Sequence, residues 1–227
     1  MSNAQNYDFD TVYRGESPVF GGARPAWSIG RPQPELAALI DAGQVRGPVL
    51  DAGCGEAALS LELAARGYQT VGIDLSAKAI ALAEAEARRR GLSTAEFRVA
   101  DITDLHGYDD HFATIVDSAL LHSMPVALRP GYLASTARAA APGARFFILV
   151  FDRSATPTGP DDPVAPVTAE ELIDAVSPYW TIDDVRPARH FCRMPDPVPD
   201  SFAGIEFRDE YDGLSSVGAW LLSAHHD

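Results

Sequence analysis

The chain has 227 residues, 46% of them hydrophobic, and a formal net charge of −14. That length suits one α/β domain with additions, the apolar content suffices for a core, and the acidity disfavours nucleic acid and anionic membrane surfaces, which are bound through Lys and Arg. No apolar run approaches the ~20 residues that span a bilayer, residues 1–7 are polar, and Cys54 and Cys192 supply neither a disulfide framework nor a zinc spacing, so a reduced cytoplasmic protein is expected.

Residues 1–33 carry Tyr7, Phe9, Tyr13, Phe20 and Trp27 but are broken by Gly21-Gly22, Pro25 and Pro32. They are too apolar for a free tail and too interrupted for a core element, and they read as a lid in front of a single domain over residues 34–227. Pro34 opens a helix with a buried stripe of Leu36, Leu39 and Ile40, and Gly43 follows its end. A first strand over 48–51 runs into Gly53-x-Gly55 and a helix that stops at Gly67. A second strand over 69–74 carries Val71 and Ile73. Ser76 then caps a helix ended by Gly91, with Arg88-Arg89-Arg90 where the helix dipole favours cations. Third and fourth strands are expected over 96–100 and 112–117, a helix around Pro130, and a fifth strand over 145–151 after a Pro142-Gly143 turn. Residues 153–167 form a loop, Thr168 and Glu171 a capping box, 180–185 and 217–223 two further strands, and 192–213 a substrate-side loop. Strands alternating with helices predict a doubly wound, mainly parallel sheet covered on both faces.

Asp51, Asp74, Asp101 and Asp117 each close one of the first four strands. Ligands of open α/β sheets bind outside those ends, so the four acids, each also suited to a cap, read as one binding edge. Gly53 and Gly55 let the backbone approach a ligand closely. Asp74 suits ribose hydroxyls; Asp101 suits an adenine amino group, with Ile102 against the ring. An acid ahead of the glycines favours a ligand with an amino group and a sulfonium over a pyrophosphate, and that ligand is S-adenosylmethionine. A nicotinamide-dependent oxidoreductase remains an alternative, because Gly53-x-Gly55-x-x-Ala58 also satisfies the dinucleotide pattern. So does a non-catalytic S-adenosylmethionine-binding protein.

Four segments resemble motifs of the class I S-adenosylmethionine-dependent methyltransferases, over about residues 27–151. Val49-Leu50-Asp51-Ala52-Gly53-Cys54-Gly55 is similar to the glycine loop, Gly72-Ile73-Asp74-Leu75-Ser76 to the ribose motif and Ala100-Asp101-Ile102 to the adenine motif. Val116-Asp117-Ser118-Ala119-Leu120-Leu121-His122 is similar to the fourth-strand motif beside the methyl group. The resemblance implies a Rossmann-like, seven-stranded sheet of order 3-2-1-4-5-7-6, its seventh strand antiparallel, with these motifs, Leu75 included, around the cofactor. Ala57 departs from it, standing where the usual loop has a third glycine. Residues 25–34 resemble the entry segment of the thiopurine and halide/thiol methyltransferases and their bacterial relatives. That implies Trp27 over the sulfonium and Arg31 on the methionine carboxylate. Ser118 stands where the plant halide/thiol enzymes carry a tyrosine, so halide chemistry is not expected.

The reaction expected is direct methyl displacement to an O, N or S atom of a small, flat aromatic or heterocyclic molecule, with detoxification as its role. Tyr7, Phe9, Tyr13, Phe20, Trp27, Phe151, Phe191 and Met194 are the expected substrate walls. His122, following the fourth strand, is either a general base or a group that holds the loop. His106, His111 and His190 show no pattern, and His225-His226, read as a solvated tail, lack a third ligand, so no metal is expected.

Overall fold

The computed structural model describes residues 8–17, 20, 24–158, 164–199 and 202–227. Helices α1 (Phe9–Tyr13) and α2 (Pro34–Asp41) precede strand β1 (Val49–Ala52). Then follow α3 (Ala58–Ala65), β2 (Thr70–Asp74), α4 (Ala77–Arg90), β3 (Ala95–Val99), β4 (Phe112–Ser118), α5 (Arg129–Ala139) and β5 (Ala140–Phe151). The chain continues with α6 (Ala169–Val176), β6 (Thr181–Cys192), β7 (Arg208–Asp209) and β8 (Ser215–His225). The sheet is eight-stranded, in the order β3-β2-β1-β4-β5-β8-β6, with the two-residue β7 paired to β8. β3, β2, β1, β4 and β5 are parallel, whereas β8 runs antiparallel to both β5 and β6. This is the expected path, with the short β7 raising the count by one. No helix among the described residues is long and apolar enough to cross a membrane.

Side chains alternate across the strands and fill two layers. Leu50, Ile73, Ile115, Phe146 and Ile148 pack beneath Tyr132 and Leu133 of α5 and Leu172 and Val176 of α6. Val49, Val116, Phe147 and Leu149 face Leu36 and Ile40 of α2 and Leu59 and Leu63 of α3 on the other side.

Four expectations change. The N-terminal segment is not wholly irregular: Asp8 caps α1, accepting from the backbone N–H of Asp10. β5 begins before Pro142-Gly143, which sits in an irregular stretch of the strand with Gly143 at φ +71°. β6 runs on to Cys192, because Pro187 lies on the outermost strand, where a missing N–H costs no central ladder bond. His225 ends β8 beside the Asp183 carboxylate, and the His226 N–H donates to Ala144, so the pair is not a solvated tail.

β4 ends on a carboxylate that shapes the loop beyond it. Asp117 is fully buried; its Oδ1 accepts from the Leu120 N–H (2.7 Å) and its Oδ2 from the Leu121 N–H (3.0 Å) and the Tyr132 hydroxyl (2.8 Å). Burial pushes its pKa from 3.8 up to about 7, against the pull of these hydrogen bonds and Arg129. The folded state thus keeps a proton that the unfolded chain releases, and that stabilisation fades as pH rises through 7. Asp117→Asn removes this titration, so melting curves from pH 5 to 8 will show wild type losing ground to the variant; a constant gap would contradict the shift.

Candidate active site

A cavity of about 1450 Å³ opens along the carboxyl edge of the sheet. Single-ligand pockets run from roughly 300 to 1,000 Å³, so there is room for two molecules side by side. One half is built by the ends of β1, β2 and β3 and the other by the ends of β4, β5 and β6, with the N-terminal segment above.

In the first half, the turn after β1 leaves no space for side chains. A Cβ on Gly53 would sit 2.8 Å from Leu120 Cδ1, and one on Gly55 would collide with the Tyr13 hydroxyl. Ala57 takes the left-handed conformation (φ +60°) at the start of α3. That strain costs about 1–2 kcal/mol, and burial of its methyl beside Leu61 and Ile80 returns roughly 0.8 kcal/mol of it. Asp51 is buried, and its Oδ2 accepts from the backbone N–H (3.2 Å) and hydroxyl (2.7 Å) of Ser60. Burial raises its pKa to about 6. Asp74 accepts from the Gly55 N–H at Oδ2 (2.9 Å) and from the Ser76 N–H at Oδ1 (2.8 Å), and burial raises its pKa too. Asp101 accepts from the backbone and hydroxyl of Thr103. Asp51, Gly53, Gly55, Asp74, Leu75, Asp101 and Ile102 all line the cavity. Asp117 does not, since all its bonds serve the loop and Tyr132.

This half fits an adenosyl sulfonium. It offers carboxylates at two adjacent strand ends, an apolar Ile102 beside Asp101 and a backbone turn free of Cβ atoms.

Above it lies an aromatic cluster. The Trp27 ring meets Phe9, Tyr13 and Phe20 edge to face, with centroids 6.1, 6.4 and 5.6 Å away, and its Nε1–H donates to the Tyr13 hydroxyl (3.0 Å). Burial and the Asp74 charge push the Tyr13 pKa up, so this phenol stays protonated. Tyr13 stands over Gly55, on the side of the acids rather than at the expected substrate wall. Asp10 latches α1 to α4, accepting from the Ser76 hydroxyl (2.7 Å) and the Lys78 N–H (2.8 Å). Arg31 lines the cavity but already pairs with Asp212 (3.2 Å) and lies over the Tyr211 ring. Tyr7 lies outside the described residues.

Among the described residues, the strand walls of the second half carry no carboxylate; they mix apolar side chains with neutral polar ones. His122 is buried, its Nδ1 accepts from the Phe151 N–H (3.1 Å), and its ring stacks on Phe151 (centroids 4.0 Å, 16° apart). The proton therefore sits on Nε2, and burial lowers the pKa well below the usual histidine range. Such an imidazole is a hydrogen-bond donor and a poor base at neutral pH. Met194 also lines the cavity, but Phe191 does not. Gln33 clamps the Phe191 backbone (2.7 and 2.9 Å), and its ring meets Tyr211. The alternation of β6 instead turns His190 and Cys192 inward. A strand that stops at residue 185 hides His190; the two-residue period carried past Pro187 brings it into view.

The methyltransferase domain profile matches residues 49–143. A 2-heptyl-1-hydroxyquinolin-4(1H)-one methyltransferase from Mycobacteroides abscessus is 52% identical over 222 residues, covering 96% of each chain. A structure solved in work on the conversion of a disulfide bond into a thioacetal group during echinomycin biosynthesis superposes with TM-score 0.81 at 36% identity, over 96% of this chain and 91% of that one. Burkholderia thailandensis 1,6-didemethyltoxoflavin-N1-methyltransferase, with its substrate and S-adenosylhomocysteine bound, shares the fold (TM-score 0.59, 22% identity, 86% and 77% covered).

Two calorimetric titrations with S-adenosylhomocysteine test the acidic half. Asp74→Ala will weaken binding by at least about tenfold, through loss of charge-assisted bonds to hydroxyls; unchanged affinity would remove Asp74 from the site. If Asp51 serves the ligand's ammonium, affinity will fall as pH drops from 7 to 5, with protonation of Asp51 near pH 6, and Asp51→Asn will flatten that fall. The same pH slope in the variant would contradict this role.

Proposed function

The chain belongs to the class I S-adenosylmethionine-dependent methyltransferases, and we propose that it methylates the acidic oxygen of a small, flat N-hydroxy heteroaromatic. The observation that carries this reading is the absence of charge, among the described residues, from the strand walls of the second half of the cavity. Phe151, His190, Cys192 and Val217 line it from β5, β6 and β8, and none of these is an acid. Both histidines are held neutral by burial, and the Cys192 thiol is pushed up to about 11. Such walls suit an acceptor that has lost its proton before it enters and needs no base. The Mycobacteroides relative, named for a hydroxyquinolinone, supports the same class. Family membership sets aside the nicotinamide-dependent alternative.

Bound S-adenosylmethionine supplies an electrophilic methyl on a sulfonium. The residues around it align and desolvate. The acids of β1 and β2 would hold the amino and hydroxyl groups, Phe151 with its two flanking imidazoles would border the acceptor ring, and the Trp27 cluster would exclude water. Transfer to an ionised acceptor would break the carbon–sulfur bond as the carbon–oxygen bond forms, would cancel the two charges, and would ask no proton transfer of these residues. The latch of Asp10 on Ser76 and Lys78 supports a lid role for residues 1–33. Unpaired Cys54 and Cys192 support a reducing, cytoplasmic setting, and capping a reactive N–OH supports detoxification.

Production of S-adenosylhomocysteine with 1-hydroxyquinolin-4(1H)-one, and a product heavier by one methylene carried on oxygen, are expected. No turnover, or methylation on carbon or nitrogen, would contradict the proposal. Deleting residues 1–26 will leave a cooperative melting transition but lower kcat/KM by roughly tenfold or more, as open sites do when water enters. Full activity of the truncated chain would end the lid role.

A further inference from the structure

We propose that His190 binds the acceptor's second oxygen, the one that is not methylated, and so selects heteroaromatics that carry a ring carbonyl. The inference rests on the acceptor class above and adds to it a residue and a chemical requirement.

His190 stands on β6 opposite Val217 of β8, in the inward row with Ala188 and Cys192, and it is the polar member of that row. It is 2% exposed, yet it lines the cavity. Its ring meets Phe151 edge to face (centroids 5.0 Å, 86°), on the same phenyl group that His122 stacks against. Phe151 is thus bracketed by two imidazoles. They differ in one respect. The Nδ1 of His122 is satisfied by the Phe151 N–H, whereas the Nδ1 of His190 is buried with no hydrogen-bond partner among the described residues.

A buried imidazole with an unanswered nitrogen is costly, and an apolar side chain of similar size would fill this place more cheaply. Burial is the one cause acting on its charge state, and it holds the ring neutral at physiological pH. A neutral imidazole carries one donor and one acceptor nitrogen. Against an aromatic wall, its donor is a ready partner for the oxygen of a vinylogous amide or enolate, which shares the negative charge with the N–O oxygen when the acceptor is ionised. A donor built for that oxygen discriminates strongly against an analogue that lacks it.

The test is calorimetric binding to the S-adenosylhomocysteine complex of two acceptors, 1-hydroxyquinolin-4(1H)-one and the carbonyl-free 1-hydroxyindole, with KM and kcat measured alongside. His190→Phe keeps an aromatic ring and removes both nitrogens. It will weaken the quinolone at least about tenfold, leave hydroxyindole and S-adenosylhomocysteine within about twofold, and raise KM more than it lowers kcat. His190→Gln, which restores a donor, will recover most of the quinolone affinity. Should the phenylalanine variant melt far below wild type, His190→Leu carries the same comparison. Equal affinity of wild type and variant for the quinolone would overturn the role of His190 and leave the acceptor class standing. Equal losses on both acceptors would overturn the selection of a carbonyl. Failure of wild type to bind either acceptor would overturn both the acceptor class and this inference.

Discussion

A carboxylate taken out of water must find hydrogen-bond donors, and in this sheet the nearest are the N–H groups of the backbone that follows each strand. Asp117 gathers the loop after β4 and ties it to α5 through Tyr132. Asp51 holds Ser60 and with it the first turn of α3. Asp74 joins the glycine turn to the start of α4 through Gly55 and Ser76. Asp51 and Asp74, which line the site, are thus also groups that fix its shape. Removing one changes both the field and the backbone that a ligand meets.

The cavity is polarised by this arrangement. Its β1–β3 half carries carboxylates, two of them with raised pKa values, and an incoming cation stabilises their charged forms. In its β4–β6 half, burial holds His122, His190 and the Cys192 thiol neutral. The acidic half suits a sulfonium cofactor, and the neutral half suits the anionic acceptor proposed above. Arg129 joins two loops beside that half, donating to the carbonyls of Leu121 and Ala165.

Much of this is legible in the amino-acid sequence. The four strand-ending acids stand out because a parallel sheet puts every strand end on one edge, and the motifs place them in order. An acid at a strand end can cap a turn or face a ligand, and Asp51, Asp74 and Asp101 do the first while lining the cavity. Asp117 parts from them only because Tyr132, distant in sequence, covers its second oxygen; no local pattern announces that. The aromatic N-terminus is legible from composition, but Tyr13's place over Gly55 depends on the Asp10 latch to α4, a contact across 66 and 68 residues. Phe191 falls on the wrong side of the wall by the one-residue parity of a strand. Pro187 interrupts the run and makes β6 look finished early, although an edge strand tolerates it.

A crystal structure with S-adenosylhomocysteine and 1-hydroxyquinolin-4(1H)-one together tests the central claim most directly. The account predicts adenosyl density between the glycine turn, Asp74 and Ile102, with the acceptor ring against Phe151 and its N–O oxygen nearest the sulfur. Adenosyl density elsewhere, or an acceptor seated among the acids, would contradict it.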